Sequence, residues 1–118
     1  MSDEFISLAT KEINEEISEL DKMLTSCQND IAVSFNAEKF QKHTHKIKGL
    51  APMMGKEELG GLSALLDGLL KKMIEGKQIE GVFDIVTDSI HSMKNSMSEP
   101  ECDLNPISNK IKQILSNL

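Results

Sequence analysis

The sequence has no tryptophan, no tyrosine and no arginine, and its aromatic share is 3%. Any core must therefore be built from aliphatic side chains and methionine. That suits packed helices better than a half-exposed sheet, where aromatic residues are favoured. Without arginine there is no bidentate recognition of phosphate or carboxylate, so a phosphate contact must use lysine point charges. The two cysteines, Cys27 and Cys102, have neither C-x-x-C spacing nor a disulfide-dense context, and read as reduced thiols. No apolar run approaches the roughly 20 residues needed to cross a bilayer. The acidic start, MSDEFISLATKEINEE, is unlike a signal segment, which would be basic and then continuously apolar. A cytoplasmic location and no membrane partner are expected. The net charge of −6 and pI near 5.0 leave nothing to steer a polyanion to the whole surface, so nucleic acid is not an expected partner.

What is present is a chain of 118 residues, 39% hydrophobic, enough for a single domain over 1–118. Its apolar residues recur at helical spacing. The expected fold class is all-α, an antiparallel four-helix bundle with a fifth C-terminal helix, over about 5–27, 33–54, 56–75, 80–97 and 106–117. In the first helix Ile6, Ile13, Ile17, Leu20, Leu24 and Cys27 make the inward stripe, and Glu12, Glu15, Glu16 and Glu19 turn outward. The second carries Phe40, Thr44, Ile47, Ala51 and Met54 inward, with Asn36 or Asp30 as its cap and Pro52 near its end. Leu59, Leu62, Leu66, Leu69 and Met73 line the third, and Gly76 closes it. The fourth buries Val82, Val86, Ile90, Met93 and Met97. The pair Asn105-Pro106 reads as cap and first turn of the fifth, which buries Ile107, Ile111, Ile114 and Leu118.

Chemistry concentrates in Phe40 to Gly55, FQKHTHKIKGLAPMMG. At about 100° per residue, Gln41 and Gly49 lie about 40° to either side of His45, Lys42 and Lys48 about 60° away, and Pro52 about 20° away. Thr44 and Ile47 point to the core, which places His45 on the flank between core and solvent. Gly49, one turn after His45, costs a helix about 1 kcal/mol relative to alanine. That cost makes sense if a group on the imidazole, or a partner pressing on it, must approach the backbone. Lys48 can place an ammonium near phosphoryl oxygens.

Competing sites fail on geometry. His43 and His45 are two residues apart and point about 200° apart on a helix, so they cannot chelate one metal. Gly49 to Lys56 has one residue too many for a phosphate-binding loop, with Glu57 where that loop needs Ser or Thr. No Ser–His–Asp set or paired carboxylates follow from the spacing. The expected metal site is none.

H-x-I-K-G with a second glycine, Gly55, ten residues after the histidine resembles the histidine phosphotransfer (HPt) domain. More narrowly, HKIKGLAPMMG is similar to the N-terminal phosphotransfer domain of CheA-type chemotaxis histidine kinases, specifically over Phe40 to about Leu70. The resemblance implies His45 as phospho-acceptor, Lys48 as the phosphate-side lysine and Gly49 as the clearance residue. Gln41, Lys42 and Pro52 would lie on the docking face for kinase and receiver. The family's glutamate that orients the acceptor imidazole is matched here by Asp67, one methylene shorter, and Lys42 stands where the family usually has arginine. The implied partners are a histidine kinase catalytic domain and a response-regulator receiver domain, CheY- or CheB-like. ATP and Mg2+ would come from partner domains, with no cofactor bound and no kinase activity from this chain alone. The competing expectation is a helical adaptor whose histidine is never phosphorylated.

Overall fold

The computed structural model describes residues 2–118, and the secondary structure among them is helical, in six segments. Helix α1 (Asp3–Ser26) is capped by Ser2, whose hydroxyl accepts from the Phe5 amide at 3.1 Å. Asp3 and Glu4 complement the dipole of its first turn. Its last carbonyls are occupied by Thr25 Oγ1, Ser26 Oγ and Gln28 Nε2, each reaching back three residues.

The expected second helix is two helices. α2 (Asp30–Phe35) and α3 (Ala37–Met53) are separated by Asn36, which leaves helical geometry at φ −109°, ψ 17° and donates its side-chain amide to Ala32 O. Asn36 stands at the N-cap position of α3, as one of the two expected caps, but without a side-chain capping bond, and Asp30 caps neither α2 nor α3. Asn29 caps α2 by accepting from the Ala32 amide at 2.8 Å. Asp30 instead accepts from the Gly81 and Phe83 amides, both at 2.8 Å, and so caps α5 (Val82–Ser98). That helix accordingly starts after Gly81, which takes φ +80°, rather than at residue 80.

Pro52 falls in the last turn of α3, and the chain turns at Gly55 with φ +85°, a conformation that disfavours other residues. The Lys56 amide returns to Ala51 O at 2.9 Å, closing the helix end. α4 (Glu57–Ile74) then runs antiparallel to α3: Gly60 lies against Pro52, and Asp67 lies against Gln41 to Lys48. A Cβ on Gly60 would stand 2.6 Å from Pro52 Cγ, so glycine is what lets the two helices close. α6 (Asn105–Ser116) starts one residue earlier than the cap assignment required. Asn105 is already helical, and its amide is received by Asp103 Oδ1 at 2.9 Å.

α3 packs most extensively on α4; α1 lies on α3 and α5, α4 on α5, and α6 on α4 and α5. The shared core is aliphatic, with Ile13, Leu20, Ile47, Leu62, Leu66, Leu69, Ile90, Met93 and Ile111 fully buried around one aromatic ring, Phe40. The inward stripes are buried as expected, except that Ile6, Met54, Met97 and Ile114 are half-buried and Leu118 is exposed. Glu16 is a further departure. It does not face solvent but lies at the α1–α3 seam, its Oε1 accepting from His43 Nδ1 at 2.7 Å, with Lys46 Nζ 3.7 Å from Oε2.

Candidate functional site around His45

Helical phase sets the site. Thr44 and Ile47 are fully buried, while the His45 side chain between them keeps 66% of its exposure. Along the same outer face lie Lys42, Lys46, Lys48, Gly49 and Pro52, all exposed. Nothing lies within 4 Å of where a Cβ on Gly49 would stand, so internal packing does not require glycine there. Pro52 has a packing role as well as an exposed edge, because its ring sits on Gly60.

The wall behind His45 is α4. Asp67 is buried, and its carboxylate gathers groups from two turns of α3. Oδ1 accepts from Gln41 Nε2 at 3.0 Å and lies 3.4 Å from Thr44 Oγ1. His45 Nδ1 stands 3.7 Å from Oδ1, and Lys48 Nζ stands 3.7 Å from Oδ2. The histidine distance is beyond direct hydrogen bonding, so the carboxylate can act on the ring only through its field. The lysine partly neutralises a charge that burial would otherwise penalise.

The residues singled out in the sequence thus fall into two groups. His45, Lys48 and Asp67 meet at one point, and Gly49 leaves the approach to it open. Lys42 and Pro52 share the outer face, whereas Gln41 is half-buried and turned inward onto Asp67. Thr44, read from the pattern only as a core position, also belongs to the site through its hydroxyl. No local signal marks a threonine on an apolar stripe as a carboxylate partner; the α3–α4 register is needed to see it.

Chemically, the arrangement offers an exposed imidazole with Nδ1 toward a carboxylate. That favours the tautomer with its proton on Nδ1 and leaves Nε2 as an outward nucleophile or base. Among the described residues no group of three or more His, Cys, Asp or Glu side chains is placed to hold a metal ion. No helix of the described residues is long and apolar enough to cross a membrane. Comparison of the chain with protein-family models, with curated proteins and with solved structures finds no match.

Proposed function

We propose that this chain is a phosphoryl carrier of the histidine phosphotransfer type, with His45 as the acceptor. The observation that carries the reading is an imidazole 66% exposed, backed by a buried carboxylate 3.7 Å from its Nδ1. The open space over Gly49 supports it, since a phosphoryl donor must come within bonding distance of Nε2. The helix pairings also fit the fold that the resemblance implies. They run α1–α3–α4–α5 and back to α1, the neighbour order an antiparallel four-helix bundle would need, with α6 added on α4 and α5.

In the proposed cycle a histidine kinase catalytic domain supplies ATP and Mg2+. The Nε2 lone pair attacks the γ-phosphorus in line; the bond to the β–γ bridging oxygen breaks and ADP leaves. The ring then carries positive charge with its Nδ1 proton toward Asp67, and Lys48 leans from Oδ2 toward the new phosphoryl oxygens. A receiver-domain aspartate, CheY- or CheB-like, attacks the same phosphorus from the other side. The P–N bond breaks, an acyl phosphate forms and the imidazole is returned. The chain is substrate and carrier in this scheme, whether it acts alone or as the front of a CheA-type kinase in the cytoplasm.

The test is phosphoryl incorporation from labelled ATP with a CheA-type catalytic core, using the wild type and His45→Gln. Acid-labile, alkali-stable label on the wild type alone, passing to an added receiver, is the expected result. No label with any kinase core, or equal label on both proteins, leaves the non-phosphorylated helical adaptor as the reading to adopt.

A further inference from the structure

The groups around Asp67 do not hold it equally. Gln41 Nε2 donates to Oδ1 at 3.0 Å, the shortest contact to the carboxylate. Thr44 has one proton and two acceptors in reach, Asp67 Oδ1 at 3.4 Å and the Gln41 carbonyl at 3.1 Å, and the carbonyl is the nearer. A carboxylate oxygen has two lone pairs close to the plane of the group. With one of them taken by Gln41 and the threonine proton on the carbonyl, the other is free toward His45 Nδ1. Opposing this, the Lys48 ammonium draws the carboxylate by its second oxygen from a position 45% exposed.

We propose that Gln41 is a positioning residue for His45. Its amide fixes the plane of the Asp67 carboxylate so that Oδ1, not the space near Lys48, holds the negative charge facing Nδ1. A short aspartate needs this brace because its single methylene cannot carry the carboxylate to the imidazole. Gln41 sits one turn before His45 on α3, so the brace runs from α3 to α4 and back within one helical turn. Hydrogen bonds to a charged acceptor in a partly desolvated place are among the stronger ones, which suits a group that has to resist the lysine. The kinetic half of this inference rests on the phosphotransfer reading above; the structural half does not.

The test uses Gln41→Met, which keeps length and helix preference but cannot donate, in the full 15N-labelled chain. Long-range 1H–15N spectra, with His45 signals assigned by their loss in His45→Gln, report which ring nitrogen carries the proton. Phosphorylation by phosphoramidate reports reactivity without a partner protein. In that reaction Nε2 attacks phosphorus, the donor's P–N bond breaks and ammonia leaves with the bonding pair.

In Gln41→Met the Nδ1-protonated fraction should fall and the phosphoramidate rate drop by about tenfold, the scale expected when a reacting group loses its orientation. With a kinase core, kcat should fall and KM hold. Wild-type tautomer and wild-type phosphoramidate rate in the variant overturn the inference. A raised KM with an unchanged tautomer also overturns it and makes Gln41 a docking contact. A shifted tautomer with no label on any protein upholds the brace and removes the phosphotransfer reading instead.

Discussion

Alanine at Gly49 should make the protein more stable and less able to accept a phosphoryl group. A glycine inside a helix costs about 1 kcal/mol relative to alanine. At Gly49 nothing offsets that gain, because a Cβ there meets no atom within 4 Å. For a chain of this size about 1 kcal/mol corresponds to a rise of about 4 °C in Tm. Gly60 is the internal control. The same helix preference applies, but its Cβ would stand 2.6 Å from Pro52 Cγ and 2.8 Å from Cδ, in a ring that cannot swing aside. Overpacking of that kind costs about 1–3 kcal/mol, so Gly60→Ala should be net destabilised. Thermal and urea unfolding followed by far-UV circular dichroism measure both changes, and labelled-ATP incorporation measures the activity. Gly49→Ala should melt higher yet take label about tenfold more slowly, as misplacement of reacting groups predicts. A variant that melts higher and takes label at the wild-type rate refutes the clearance argument. One that melts lower refutes the view that the glycine is free of packing duties.

Other perturbations separate the site from the scaffold. Lys48→Ala should slow transfer by about tenfold if its ammonium meets the phosphoryl oxygens, while Tm barely moves, since Asp67 keeps its hydrogen bond from Gln41; an unchanged transfer rate removes Lys48 from the mechanism. Asp30→Ala leaves the Gly81 and Phe83 amides without their acceptor and should lower stability by about 1–2 kcal/mol, as other lost helix caps do. Hydrogen exchange should then quicken first in the opening turn of α5, and protection equal to the wild type there would show the cap to be idle. Glu16→Gln should cost about 1 kcal/mol through its weakened bond to His43 and leave labelling of His45 untouched; slower labelling would tie the α1–α3 seam to the chemistry.

The helical stripes were legible because burial in packed helices follows the helical period. The break at Asn36 was hidden by the same rule. Val33, Ala37, Phe40 and Thr44 are all buried, and their steps of four, three and four continue through the break. Periodicity therefore runs α2 and α3 together, while the backbone parts at Asn36, which the sequence offers as one of two caps without showing that a separate helix precedes it. Asp30 was misassigned for a different reason. A residue that could cap its own helix was found capping another 51 positions away, which only the assembled fold can reveal. At the site, the face shared by His45, Lys48 and Gly49 could be read from α3 alone, and Asp67 came from a motif match. The parts played by Gln41 and Thr44 depend on which turn of α4 meets which turn of α3.

The chain spells H-x-x-K three times, and in two of them, His43 with Lys46 and His45 with Lys48, the fold supplies the same ingredients. In each set the imidazole Nδ1 faces one oxygen of an acid from a neighbouring helix, and the lysine faces the other oxygen at 3.7 Å. The first set is even the tighter, because glutamate reaches to 2.7 Å of its histidine where aspartate stops at 3.7 Å. If a carboxylate-backed histidine with a nearby lysine were sufficient, His43 would be the better acceptor. Two physical differences decide against it. Its side chain keeps only 18% exposure against 66% for His45, so an attacking geometry at phosphorus cannot be reached without opening the α1–α3 seam. The residue one turn later is also Ile47, buried in the core, where His45 has Gly49 beneath open space. The first set is built to hold α3 against α1. The second leaves its nitrogen free and its approach clear, so exposure and the glycine support the proposed acceptor role more than the three side chains do.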